Sequence, residues 1–124
     1  MAPSGIKQDT ILRHFLITVL CLLLLGMFFG WIGALQYIAP GFLKNQLSFE
    51  RVRPLHVSSV VFWIIFGAAT CAFIYLKEYL SANLFSWKLL KWAYILFLLT
   101  TLIILGSYVF GIFGGREYWE FNPA

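Results

Sequence analysis

The sequence predicts an all-α integral membrane protein, a single domain of three spanning helices in an up-down-up arrangement. Two observations predict it. First, 61% of the 124 residues are apolar and only 11% are charged. A water-soluble domain carries about a quarter charged residues, so this chain cannot cover a water-facing surface and needs a bilayer as its solvent. Second, the charges divide the chain into three uncharged stretches, between Arg13 and Lys44, between Arg53 and Lys77, and between Lys91 and Arg116. Each exceeds the roughly 20 residues that carry a helix, at 1.5 Å per residue, across a hydrocarbon core of about 30 Å. A spanning segment has to satisfy its own backbone hydrogen bonds, which makes these segments helices.

The expected helices run over about residues 14–39, 54–76 and 90–113. Pro40-Gly41 ends the first, Pro54 stands in the first turn of the second, and Gly114-Gly115 ends the third before a polar, aromatic tail. Lys77 to Ser86 is read as a polar connection with some helical character. Trp31, Tyr37, Trp87, Trp92, Tyr118 and Trp119 fall at the expected interfaces, as an aromatic belt does. The first apolar run is too long for a cleaved signal peptide and is expected to remain as an anchor. With the N-terminus in the cytoplasm, Lys7, Arg13, Lys77, Lys88 and Lys91 lie inside and Lys44, Arg51, Arg53 and Arg116 outside. The positive-inside rule thus narrowly favours that orientation. Three arginines on the side that is usually poor in them imply a task there.

Gly26, Gly30, Gly33 and Ala34 form a small-residue stripe on the first helix, and Gly106, Ser107 and Gly111 repeat it on the third. These stripes are expected to be surfaces for a larger helical partner. Cys21 and Cys71 lie inside apolar runs without paired spacing and read as small packing residues. The net charge of +4 is loop and interfacial charge; no basic cluster suggests nucleic-acid binding.

Two histidines are candidates for chemistry. His14 lies at the start of the first span and needs no special explanation at an interface. His56 lies just inside the second span, and an ionisable side chain there is a functional candidate by default. A neutral imidazole is a common ligand of heme iron; on spacing alone, a buried hydrogen bond explains His56 equally well. Heme carries two anionic propionates, and Arg51, Arg53 or Arg116 would pair with them through the guanidinium fork. The up-down-up topology brings the start of the second helix and the end of the third to one membrane face. Glu117 and Glu120 add hard carboxylate oxygens there, which suit calcium. Plain interfacial anchoring explains the same charges without a ligand.

Three segments carry a family resemblance over nearly the whole chain. Gly33-Ala34-Leu35-Gln36-Tyr37 resembles the end of the first helix in the catalytic subunit, subunit I, of the heme–copper oxidases. The likeness is closest to the C-family (cbb-type) cytochrome c oxidases and the nitric oxide reductase large subunit. Arg51-Val52-Arg53-Pro54-Leu55-His56 resembles the opening of their second helix, whose histidine is an axial ligand of a low-spin heme b. Gly115-Arg116-Glu117-Tyr118-Trp119-Glu120 resembles the Gly-Arg-Glu-x-x-Glu segment of nitric oxide reductase. The resemblance implies that His56 binds heme iron, that Arg116 contacts a propionate, that Glu117 holds a structural calcium, and that Glu120 lies next to it. Residues 115–123 then form a heme-propionate and calcium segment.

The resemblance also implies what is missing. Members of the family have about twelve spanning helices. The second axial histidine, the high-spin heme and its neighbouring metal belong to later ones. His14 cannot be the second ligand, because consecutive antiparallel helices start on opposite faces, roughly 30 Å apart. The chain is therefore expected not to turn over substrate alone. It reads as a split subunit, a truncated product or a fragment, working in the inner (cytoplasmic) membrane with the remaining helices and a cytochrome c-type subunit. The Arg-Pro-Leu-His run leans towards the oxidases and the Gly-Arg-Glu tail towards nitric oxide reductase. The competing reading is a non-catalytic membrane subunit or assembly protein that keeps the motif without heme. A small transporter is disfavoured, because no span has a central acidic residue or helix-breaking proline.

Overall fold

A computed structural model describes residues 4–79 and 86–112, with side chains from residue 9 onwards. The described residues form three helices and no strand: α1 over Ser4–Ile38, α2 over Phe49–Glu78 and α3 over Trp87–Val109. All three are long and apolar enough to cross a membrane. The all-α, three-span expectation therefore holds, with shifted boundaries. Gly114-Gly115, Tyr118 and Trp119 lie outside the described residues.

α1 begins ten residues before the expected start. Its first turns project past the apolar run, and there Asp9 pairs with Lys77 in the last turn of α2. α2 begins at Phe49, so Pro54 is its sixth residue and not part of the first turn. The start is set by the Ser48 carbonyl, which accepts from the N–H groups of Arg51 and Val52 at 2.9 and 3.0 Å. Pro54 has no N–H to give the Glu50 carbonyl four residues back. That loss is tolerable because Glu50 is exposed.

Glycine ends α3, but at Gly111. That residue takes φ +74°, and the Ile112 N–H bonds the Ser107 carbonyl at 2.8 Å while the Gly111 N–H bonds Tyr108 O at 3.1 Å. This pair of bonds is the Schellman closure, in which a left-handed residue lets the chain turn back onto the last carbonyls. Gly111 is therefore a helix terminator and not part of a packing stripe.

Phe66 of α2 joins the three helices. Its ring stacks on Phe15 of α1 at 4.6 Å between centroids and on Phe97 of α3 at 3.8 Å, nearly parallel in both cases. Tyr94 leans on Phe15 and its hydroxyl hydrogen-bonds Thr18 at 2.9 Å. Leu12, Val19 and Leu90 close this core. α3 is otherwise lightly held: 11% of its most apolar stretch is buried, against 33% in α1 and 28% in α2. Cys21 and Cys71 are exposed, on faces the three helices leave uncovered, and so do not pack in the core as expected.

Candidate functional site

The site is built where α1 and α2 approach most closely. α1 offers Gly26, Gly30 and Gly33, and all three face α2. A Cβ on Gly26 would meet Val60 at 2.8 Å, one on Gly30 would meet the His56 ring at 2.8 Å, and one on Gly33 would meet Val52 at 3.5 Å. The three glycines of the α1 stripe thus pack against α2 inside the chain, while Ala34 is exposed. On α3, Gly106 has nothing within 4 Å and Ser107 bonds back to Ile104.

Bare glycine surface lets the His56 imidazole lie against α1. Its Nδ1 is 2.7 Å from the Gly26 carbonyl oxygen. A carbonyl only accepts, so Nδ1 carries the proton and donates. Nε2 is then the unprotonated nitrogen, with its lone pair directed away from the hydrogen bond. Among the described residues it has no hydrogen-bond partner. An N–H donated to a carbonyl is the usual way a metal-binding imidazole is oriented and its tautomer fixed. The half-buried ring lines a cleft of ≈ 180 Å³ with Phe29, Gly30, Gly33, Phe49, Val52 and Arg53. Arg53 and His56 therefore line the same cleft.

The residues present fit a heme better than a bare ion. Among the described residues no group of three or more His, Cys, Asp and Glu converges on the cleft, and His56 is its one such side chain. A heme brings four nitrogens of its own and asks the protein for axial ligands only. One oriented imidazole on an open, glycine-floored cleft meets that requirement.

His56 lies deeper than expected. It is in the second turn of α2, level with Gly26 to Gly30 and not at the mouth of the helix. His14 is twelve to sixteen residues back along α1, roughly 18–24 Å at 1.5 Å per residue, instead of a full membrane thickness away. Its Nδ1 bonds Thr10 O at 2.7 Å on an exposed face. The two imidazoles still cannot share one iron.

Arg51 is placed differently from Arg53. Its Nη1 donates to Val109 O at 3.3 Å, and its guanidinium covers Gly111, where a Cβ would lie 3.0–3.2 Å from it. Arg116, Glu117 and Glu120 lie outside the described residues.

Two features have no counterpart in the sequence pattern. One is the Gly26 carbonyl as the partner of His56. The glycine spacing is visible in the sequence, but the helix it faces is not. The other is Gln36, which is buried and whose Nε2 donates to Phe42 O at 3.1 Å and Leu47 O at 2.6 Å. It pins the turn between α1 and α2, and with it the start of the helix that bears His56.

Comparison with known proteins places the chain in a family. The family described as cytochrome c and quinol oxidase polypeptide I matches over residues 10–124. The chain belongs to that family. It is also similar to a nitric oxide reductase component of Stutzerimonas stutzeri, with 28% identity over 83 residues, 67% of this chain. The match spans 18% of that relative's length. No solved structure matches. Within this oxidase family, then, the chain supplies three spanning helices of a type whose curated relative is several times longer.

Proposed function

We propose that the chain is the N-terminal portion of a respiratory subunit I and that His56 is an axial ligand of its low-spin heme b. The observation that carries this is the 2.7 Å bond from His56 Nδ1 to Gly26 O, which orients the ring and leaves Nε2 as the ligand nitrogen. When bound, the heme supplies one-electron transfer. The chain's own residues orient its ligand, pair with its acid groups and exclude water from one side.

Arg53, in the same cleft as His56, pairs with a propionate, and Arg116 pairs with another. Glu117 and Glu120 hold or flank a calcium ion beside them. Arg51 was expected to join the propionate pairing; its guanidinium is engaged on α3. The second axial histidine and the dioxygen- or nitric-oxide-reducing centre come from the remaining helices of the catalytic subunit, with a cytochrome c-type subunit delivering electrons. The assembly lies in the inner membrane with the N-terminus cytoplasmic.

The test is the reduced-minus-oxidised spectrum of the purified assembly. A b-type signal that is lost in His56→Ala, with the chain still present, is the expected result. An unchanged spectrum would leave the chain as a non-catalytic membrane subunit or assembly protein.

A further inference from the structure

We propose that Arg51 is a positioning residue whose guanidinium forms the C-terminal cap of α3 and, with Gly111, locks the end of α3 to the start of α2.

Three observations meet at this joint. Arg51 Nη1 donates to Val109 O, the last carbonyl of α3, at 3.3 Å. The face of Gly111 is covered by the same guanidinium, so closely that a Cβ at 111 would lie 3.0–3.2 Å from it and the guanidinium would have to give way. And Gly111 is the left-handed residue that closes the helix. The last carbonyls of a helix carry a partial negative charge and lack N–H partners, and a cation there is favourable. α3 has no basic residue of its own in its last turn. Arg51 supplies the missing cation from another helix.

The consequence reaches the heme site. Arg51 is five residues before His56, about 7.5 Å along α2. Gly111 is five residues before Arg116. Whatever path the chain takes after α3, the joint fixes where it starts, within one and a half turns of the His56 imidazole. Two arginines separated by a single residue thus have different tasks: Arg53 lines the cleft with His56, and Arg51 sets the frame. A lysine would serve the first part of Arg51's task only, since it can reach a carbonyl but cannot cover the glycine with a plane.

The test uses the assembled complex in lipid nanodiscs, with hydrogen–deuterium exchange at the amides of residues 111 and 112. Arg51→Ala is expected to speed their exchange about two- to fivefold, the usual worth of a cation at a helix end. Arg51→Lys recovers part of the protection. Gly111→Asn, which tolerates positive φ but displaces the guanidinium, gives the same acceleration and serves if Arg51→Ala fails to assemble. Unchanged exchange in the variant that assembles overturns the joint. The reach to the heme rests on the proposed function and has its own readout. The midpoint potential of the heme is expected to move in Arg51→Ala and to return towards wild type in Arg51→Lys, at unchanged heme content. Faster exchange with an unmoved potential overturns the positioning role. Exchange is read at the amides of the joint and the potential at the heme, so loss of the joint and loss of the heme assignment give separate signatures.

Discussion

The His56 ring rests on Gly30 so closely that a Cβ there would lie 2.8 Å from both Nδ1 and Cε1. Nothing larger than hydrogen fits at position 30 while Nδ1 stays on Gly26 O. Gly30→Ala gains about 1 kcal/mol of helix propensity but must push a ring and a backbone apart, an overpacking cost of about 1–3 kcal/mol. The collision wins because the atoms met belong to a ring fixed by the Nδ1 bond to Gly26 O. We expect Gly30→Ala to weaken heme retention in the assembled protein, and Gly33→Ala, whose Cβ meets Val52 at an ordinary 3.5 Å, to retain heme. Equal heme content in the two variants would show that the glycine cradle does not hold the ligand.

A second prediction concerns Gln36, whose amide donates to two carbonyls of the turn. Gln36→Glu replaces the donor with a carboxylate oxygen facing those carbonyls. It should be more damaging than Gln36→Met, which leaves them unsatisfied at about 1–3 kcal/mol. Within the same turn Leu43 takes φ 52°, a conformation that costs an L residue roughly 1–2 kcal/mol. Leu43→Gly should therefore stabilise the turn. Limited proteolysis across residues 40–47 ranks the variants: faster cleavage for Glu than for Met at position 36, slower for Gly at 43. A reversed order at position 36 would mean the amide bonds do not hold the turn.

The three spans were legible because fixed charge is excluded from hydrocarbon, and Lys44, Arg53, Lys77 and Lys91 mark the edges almost by themselves. Helix ends were less so. Ser4 to Thr10 is polar and lies outside the apolar run, so hydropathy gives no sign that the helix continues there. Gly111 and Gly114 are equally good terminators on paper, and only the backbone shows that Gly111 turns left-handed. In the site, residue types pointed to His56 and Arg53. The partner of His56 is a backbone carbonyl, which no side-chain pattern reveals. Arg51 and Arg53 look alike in sequence, yet adjacent positions on a helix differ by about 100° per residue, so two arginines two apart point to different neighbours.

The third prediction tests the core. Phe66 lies between Phe15 and Phe97 and is the ring through which α1 meets α3. Phe66→Ala should cost about 3–5 kcal/mol and loosen α3 from the pair. Phe28, exposed on the three helices, should cost less on truncation to alanine than Phe66. Thermal unfolding of the assembled protein in detergent, followed by tryptophan emission, measures both. A Phe66→Ala protein as stable as wild type would show that α3 is held by helices outside this chain.

The last prediction concerns the second link between α1 and α3, the 2.9 Å bond between Thr18 Oγ1 and Tyr94 Oη. In hydrocarbon no water replaces a broken interhelical hydrogen bond, which on its own argues for a large contribution. The unfolded helices in the membrane also find partners, however, and the net value is about 0.6 kcal/mol, rarely above about 1.7. Thr18→Val and Tyr94→Phe each remove one partner and keep the shape. Either single change should cost about as much as both together, with a coupling of roughly 0.5–1.5 kcal/mol in a double-mutant cycle. Tyr94 also packs on Phe15, so Tyr94→Phe preserves the ring and isolates the hydroxyl, whereas Tyr94→Ala would mix the two effects. A coupling of zero would show that the hydroxyls are bridged or separated by the remaining helices, and that α3 docks on α1 through the aromatic stack alone.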